Sequence, residues 1–148
     1  MGTTDLRLIR RGDWESRLVR FIASRRDEPF AWGRHDCCLF AADCIEAMTG
    51  VDPAARLRGY SDRRGAVAAL RGFADGGLAG VMSAIAEELG AAEVEPDFAR
   101  RGDAAYVVQE SGAGSFGIVL SEGVAVAGLP RGVAMLPRAR VVRTWRVG

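Results

Sequence analysis

The first two thirds of the chain carry hydrophobic residues at the spacing of amphipathic helices. Trp14, Leu18, Phe21 and Ile22 fall on one face of a helix that would begin near Asp13. The same spacing predicts a second helix that begins at Asp36 and ends at Thr49-Gly50, a short third helix after Asp62, and a fourth from Leu78 to Leu89. Asp13, Asp36 and Asp62 are candidate N-caps of the first three helices, because a short carboxylate can accept from the free N–H groups there.

The pattern changes after Pro96. The rest of the chain consists of short, valine-rich runs separated by Gly, Pro or Ser-Glu-Gly, which is typical of strands joined by tight turns. The predicted strands are residues 104–109, 116–120, 124–127, 133–136 and 141–147. Helices followed by strands predict an α+β fold, in which N-terminal helices pack on a C-terminal antiparallel sheet of about five short strands.

Composition and charge limit the possible functions. The chain has 148 residues, of which 49% are hydrophobic and 26% charged, a balance typical of one globular domain. We expect a single domain over residues 1–148, mainly helical over 1–95 and mainly β over 96–148. The net charge of +1 argues against a nucleic-acid partner. No apolar run suits a membrane span and the first residues show no signal-peptide pattern, so we expect synthesis in the cytoplasm and no membrane partner.

All three cysteines and the only histidine lie within ten positions, residues 35–44. Such a cluster raises the question of a metal site. On a helix that begins at Asp36, Cys37 and Cys44 would share a face but lie about 10.5 Å apart along the axis, too far to bind one ion. No second cluster of ligands occurs elsewhere. We therefore expect no metal site and no cofactor.

Cys37 is the candidate nucleophile. In the first turn of a helix, free backbone N–H groups would favour the thiolate and lower the pKa of the Cys37 thiol. Gly33 would let the preceding loop and a ligand approach closely. The alternative is that Cys37 belongs to the apolar stripe of the helix, with Phe40, Cys44 and Met48. The spacing alone favours this core interpretation, and it places Cys44 in the core as well.

Here the sequence resembles a family. Phe30-Ala31-Trp32-Gly33 followed by Asp36-Cys37 is similar to the signature of NlpC-type cell-wall cysteine peptidases, and residues 101–107 and 115–120 resemble two strands of that family. The resemblance implies a papain-like fold with a Cys-bearing helix, with Cys37 as the nucleophile on peptidoglycan and Trp32 as a wall of the substrate cleft. Residues 29–40 and Trp145-Arg146-Val147 resemble most closely such proteins encoded among the tail genes of phages, prophages and gene transfer agents.

The departures from the family are as informative as the match. The catalytic histidine of the family falls on Ser115, and the third polar member of its triad falls near Ala127. Neither a hydroxyl nor a methyl group can act as a base near neutral pH. His35 is the remaining imidazole, and it could serve as the base, bond a backbone carbonyl, cap the loop or sit at an interface. Asp36 could cap the helix or orient His35 or Arg34.

Other charged residues have local interpretations. Arg-Gly-Asp occurs twice, and we assign Asp13 and Asp103 to the start of a helix and of a strand rather than to adhesion. Asp43 is expected on a solvated face or in an ion pair with an arginine. The arginine pairs are scattered among as many acids, which favours solvated faces or protein-interface anchors.

Two hypotheses of function follow. In the first, the chain is a tail-tip or baseplate-associated protein with a degenerate hydrolase site, located in the tail of a phage-like particle and bound to tail hub or baseplate proteins. In the second, it is an active cysteine peptidase or amidase that cleaves peptidoglycan during DNA delivery, so enzyme activity stays open. The candidate catalytic residues are Cys37, His35 and Asp36, and the candidate substrate-binding residues are Trp32, Gly33 and Ser115.

Overall fold

Four helices precede a six-stranded sheet. A computed structural model describes residues 8–148; the first seven residues, on which the expectation about a signal peptide depends, lie outside the described part. The helices are α1 (Trp14–Ser24), α2 (Leu39–Thr49), α3 (Arg63–Phe73) and α4 (Gly77–Glu88). The strands are β1 (Glu93–Val94), β2 (Ala104–Val108), β3 (Gly114–Val119), β4 (Val124–Ala127), β5 (Val133–Leu136) and β6 (Val141–Trp145). Single 3-10 turns lie at Pro96–Phe98 and Arg138–Arg140.

The sheet is antiparallel throughout, in the order β1-β6-β2-β3-β4-β5. The last strand of the chain is therefore inserted between the first two. The predicted α+β class, with helices first and an antiparallel sheet afterwards, is confirmed. The expected count of about five strands omitted β1, which has two residues and carries no alternation that the sequence could show.

The main core lies between the helices and one face of the sheet. Helix α2 is its centre, since Leu39, Phe40, Cys44 and Met48 have no exposed surface. The predicted core position of Cys44 is confirmed. A second apolar cluster, formed by Ala105, Val107, Val119, Val124 and Val126, lies on the opposite face of the same strands. Strands β3 and β4 are thus buried on both faces, which fixes their register firmly.

The ends of the helices confirm two of the predicted caps and contradict a third. Asp62 accepts from the backbone N–H of Gly65 at 2.7 Å, as expected of an N-cap. Gly50 ends α2 in the left-handed conformation, with φ of 82°. Asp13 was wrongly expected to cap α1: it makes no side-chain cap bond and instead pairs with Arg17 at 2.8 Å.

The glycine-rich joint expected over residues 72–80 is a helix–helix connection whose non-helical part is residues 74–76, since α3 ends at Phe73 and α4 begins at Gly77. Across residues 8–148, no helix has both the length and the apolar character that crossing a bilayer requires.

Candidate functional site

The loop before α2 is closed by its own backbone. The N–H groups of Arg34 and His35 both donate to the carbonyl of Ala31, and Ala31 donates back to His35. Gly33 at the tip has φ of 86°, and a Cβ atom added there would collide with the backbone carbonyl of Tyr60. Both the conformation and the close approach therefore require glycine. The expected close approach at Gly33 is thus made by the chain itself.

Asp36 organises this loop. Its buried carboxylate accepts four hydrogen bonds: from the N–H groups of Gly33 at 2.8 Å, Cys38 at 2.9 Å and Leu39 at 2.8 Å, and from the Tyr60 hydroxyl at 2.7 Å. The carboxylate thus satisfies free N–H groups at the start of α2. Asp36 therefore bonds the start of α2, as the cap interpretation expects, but it lies two positions before the N-cap residue, Cys38. None of its four bonds goes to His35 or Arg34.

Cys37 lies two positions before the first residue of α2, not inside its first turn as expected. Its backbone carbonyl accepts from the N–H of Phe116 at 2.9 Å and lies 3.4 Å from the Ser115 hydroxyl. Residues 115 and 116 both belong to β3. The start of α2 is therefore fastened to the sheet beside Cys37, and the thiol itself is partly exposed.

The electrostatics of Cys37 contradict the expected thiolate. Burial, and after it the charge of Asp36, together raise the pKa of the Cys37 thiol to about 11, against smaller opposite effects of a backbone hydrogen bond and of Arg63. The expected lowering of the Cys37 pKa requires free N–H groups at the start of the helix. In the structure Asp36 takes two of them and adds a negative charge of its own. Cys37 is therefore a protonated thiol at neutral pH.

His35 is fully buried and serves the fold. Its Nε2 lies 2.7 Å from the carbonyl of Gly132, so the ring donates there, and its Nδ1 faces the Arg25 guanidinium at 3.3 Å. The ring also packs edge-on against Phe40, with centroids 5.7 Å apart. Both nitrogens of His35 are therefore engaged away from Cys37. Of the expected roles of His35, the bond to a backbone carbonyl is the one observed.

Arg25 links this loop to α2. Its guanidinium donates to the carbonyl of Arg34 at 3.2 Å and pairs with Asp43 at 3.1 Å. Arg58 pairs with the other oxygen of Asp43 at 2.6 Å. The expected ion pair of Asp43 is confirmed, with two arginines rather than one.

Ser115 is buried on β3 at the position where the resemblance places a catalytic histidine. Its hydroxyl has two backbone carbonyls as acceptors for its one proton, that of Phe116 at 3.1 Å and that of Cys37 at 3.4 Å. Ala127, where the third polar member was expected, is also buried. Neither position presents a group that accepts a proton from Cys37.

An apolar cleft of about 310 Å³ opens beside Cys37. We call it the Cys37 cleft; its walls include Trp32, Cys37, Tyr60, Arg63, Leu70 and Leu78. Trp32 lines it as expected and packs edge-on against Phe30 at 5.2 Å. Gly33 and Ser115, the other two candidate substrate-binding residues, do not line this cleft. Sequence reasoning missed Tyr60 and Arg63, because only the tertiary fold brings them to the loop.

The cysteines and acids of residues 8–148 form no group that could hold a metal ion. Cys37, Cys38 and Cys44 are all free thiols. Burial raises the pKa of the Cys38 and Cys44 thiols, which keeps both protonated. The arrangement therefore presents one partly exposed thiol in an apolar cleft.

Comparison with known proteins assigns the chain to a family. The model of a family described as a domain of unknown function (DUF6950) matches residues 9–147, and the chain belongs to that family. A search of curated proteins finds no match.

Proposed function

We propose that this member of the DUF6950 family has a papain-like fold of the NlpC type with a degenerate hydrolase site, and that it serves as a structural protein of a phage or gene transfer agent tail. The resemblance of residues 29–40 and of Trp145-Arg146-Val147 to proteins encoded among tail genes motivates this assignment. The order of elements agrees with it, since a cysteine stands before a helix that packs on an antiparallel sheet.

The position of Ser115 supports the proposed papain-like arrangement. The resemblance aligned residues 115–120 with the strand that carries the catalytic histidine of the NlpC-type family. In the structure, residues 115 and 116 of β3 reach the backbone carbonyl of Cys37. A histidine at position 115 would therefore start from the strand next to the cysteine, as a papain-like site requires.

The observation that carries the proposed loss of activity is that, among residues 8–148, neither His35 nor Ser115 offers Cys37 a proton acceptor. Ser115 donates to carbonyls, and both nitrogens of His35 are engaged elsewhere. With a pKa of about 11, about one Cys37 thiol in ten thousand is ionised at pH 7. A hydrolase with this nucleophile would be very slow, because the thiolate is the attacking species.

The surface agrees with a docking role at a tail hub or baseplate. An open groove between α1 and α2 is lined by four arginines, Arg11, Arg17, Arg20 and Arg25. Arginine is enriched at protein interfaces because its planar guanidinium makes several directed hydrogen bonds. The groove also contains Asp43 and Glu46, and among residues 8–148 no carboxylate forms an ion pair with Arg11 or Arg20.

The second candidate is an active peptidoglycan peptidase or amidase. It is favoured by one observation: the partly exposed Cys37 lines an open cleft together with Trp32. Since His35 is engaged, the base would have to come from a partner subunit. This function requires the Cys37 thiol for infection or transfer, whereas the structural function does not.

A complementation experiment separates the two candidates. Deletion of the gene in the bacterium that produces the particles is expected to yield incomplete or non-infective tails, because a structural component is missing. Restoring the gene with Cys37→Ala is expected to rescue assembly and transfer as well as the wild type does. The purified protein is expected to release no more peptidoglycan fragments than its Cys37→Ala variant. Rescue by the wild type alone, together with Cys37-dependent release, would establish the peptidase instead.

A further inference from the structure

The walls of the Cys37 cleft are almost wholly apolar. Trp32, Leu57, Val67, Leu70 and Leu78 face it, and Val67 remains exposed. Its volume of about 310 Å³ lies at the lower end of the range of small-molecule sites. An open apolar cleft of this size favours a ligand that brings apolar surface to it, because burying that surface removes it from water.

One charged side chain lines this cleft, and the buried carboxylate of Asp36 acts on it from behind the Cys37 wall. Of the described residues that line it, Arg63 alone is charged, and its guanidinium acts electrostatically on the Cys37 thiol. Arg63 is the exposed first residue of α3, and no carboxylate within residues 8–148 pairs with it. A ligand with an anionic head would therefore find a cation at the mouth of the cleft.

The remaining polar groups at the cleft disfavour a ligand whose chain carries polar groups, because they have little hydrogen-bonding capacity left for it. The Tyr60 hydroxyl already donates to Asp36 at 2.7 Å, and burial first of all raises the pKa of Tyr60, so it stays a donor to that carboxylate. The thiols of Cys37 and Cys38 are weak hydrogen-bonding groups. Peptide N–H and C=O groups placed against these walls would lose water without gaining partners, which disfavours their binding.

From this arrangement we propose that the Cys37 cleft is a binding site for a small carboxylate with an apolar chain. The chain lies between Trp32 and the side chains of α3 and α4, and the carboxylate pairs with Arg63. A guanidinium holds a carboxylate through two parallel N–H···O bonds, which a neutral head group cannot reproduce. The proposal does not depend on whether Cys37 is catalytic.

The test compares octanoate with octanol on the full chain. Both have the same apolar tail, and only octanoate carries a charge. We expect octanoate to bind about two- to fivefold more tightly in calorimetric titration, a gain typical of an exposed ion pair. Arg63→Gln is expected to abolish that preference and to leave octanol binding unchanged. Arg64→Gln, the neighbouring exposed arginine on the same helix, is the matched control and should retain the preference.

Two variants test whether binding occurs in the cleft. Trp32 fluorescence should change on octanoate binding, and Trp32→Phe should lose that signal while keeping most of the calorimetric affinity. Ala69→Phe places a ring in the cleft and should weaken octanoate and octanol alike; its circular dichroism spectrum checks that it folds. Arg63→Gln changes an exposed side chain, so it remains informative even if Ala69→Phe does not fold.

Three results would overturn the proposal. They are equal affinity for octanoate and octanol, an unchanged preference in Arg63→Gln, and tighter binding of an N-acetylated leucine tripeptide, which would assign the cleft to a peptide terminus. None of these results bears on complementation by Cys37→Ala, so failure here is distinguishable from failure of the proposed tail function.

Discussion

Two buried carboxylates, Asp36 and Asp103, both accept from backbone N–H groups, but only Asp103 also faces positive charges. Asp103 faces two guanidiniums, Arg10 at 3.1 Å and Arg146 at 3.2 Å, and so joins the segment before α1 to the end of β6. Asp36 accepts from three backbone N–H groups and the Tyr60 hydroxyl, all neutral donors. The charge of Asp103 is therefore compensated where it lies, whereas the charge of Asp36 acts on its neighbours.

The difference shows that satisfying a carboxylate with hydrogen bonds is not the same as neutralising it. At Asp103 the cations make a structural link between distant parts of the chain. At Asp36 the uncompensated charge raises the pKa of Cys37 and occupies the N–H groups that would otherwise favour a thiolate. The residue that builds the loop is thus one reason why the cysteine beside it is a poor nucleophile.

The largest effect is expected at Asp103. Asp103→Ala leaves the partly buried Arg10 without its partner and removes an acceptor from the N–H groups of Arg100 and Val147. We expect a loss of about 3–5 kcal/mol in the free energy of unfolding, measured by urea denaturation. Asp97→Ala, at an exposed carboxylate, is the control and should leave stability unchanged. A loss at Asp103 no larger than at Asp97 would show that the ion pairs of Asp103 do not stabilise the fold.

The second-largest loss of stability is expected at Gly33, in the loop that donates to Asp36. Gly33 and Gly59 both have positive φ, but only at Gly33 would a Cβ atom meet a backbone carbonyl, that of Tyr60. Gly59→Ala should cost about 1–2 kcal/mol for its conformation alone. Gly33→Ala should cost at least about 1–3 kcal/mol more, because the carbonyl of Tyr60 must move. Equal costs in thermal unfolding would show that the loop accommodates a side chain.

Asp36→Asn separates the two roles of Asp36. The amide keeps one acceptor oxygen and loses the charge, so we expect a loss of about 1–3 kcal/mol in unfolding free energy. Because the charge of Asp36 raises the pKa of Cys37, its removal should lower that pKa and increase the rate of Cys37 alkylation at pH 8. Asp103→Asn should lower stability without changing that rate. An alkylation rate equal to that of the wild type would show that burial alone sets the pKa.

The smallest effect is expected at His35. A glutamine can place a donor near the carbonyl of Gly132, so His35→Gln should cost only about 1–2 kcal/mol for imperfect packing and bonding. The alkylation rate of Cys37 should stay the same across pH, because neither ring nitrogen faces the thiol. A tenfold drop in the alkylation rate at neutral pH would indicate that His35 acts as the base for the Cys37 thiol.

Much of the fold could be predicted from local sequence. The periodicity of α1 and α4 and the valine-rich strands located most elements within two or three residues, because each signal lies inside the element it defines. The start of α2 was placed three residues early, at Asp36 rather than Leu39. The Asp36 carboxylate does bond the start of the helix, but the N-cap position itself is Cys38.

The site could be predicted only in part, because its partners are distant in sequence. The bonding of Asp36 to the helix start follows from a local motif, and Trp32 as a wall follows from the family resemblance. The bond from Tyr60 to Asp36 spans 24 positions and that from His35 to Gly132 spans 97, and no local pattern signals either. The pKa of Cys37 was predicted in the wrong direction, since its burial and the charge of Asp36 outweigh the helix terminus.

The most direct test of the account is the pH dependence of Cys37 alkylation. Iodoacetamide adducts located by peptide mass spectrometry separate Cys37 from the buried Cys38 and Cys44. The account predicts a rate that keeps rising with pH to a half-maximum near the pKa of about 11, in the wild type and in His35→Gln alike. A rate that reaches its plateau below pH 7 and collapses in His35→Gln would contradict it.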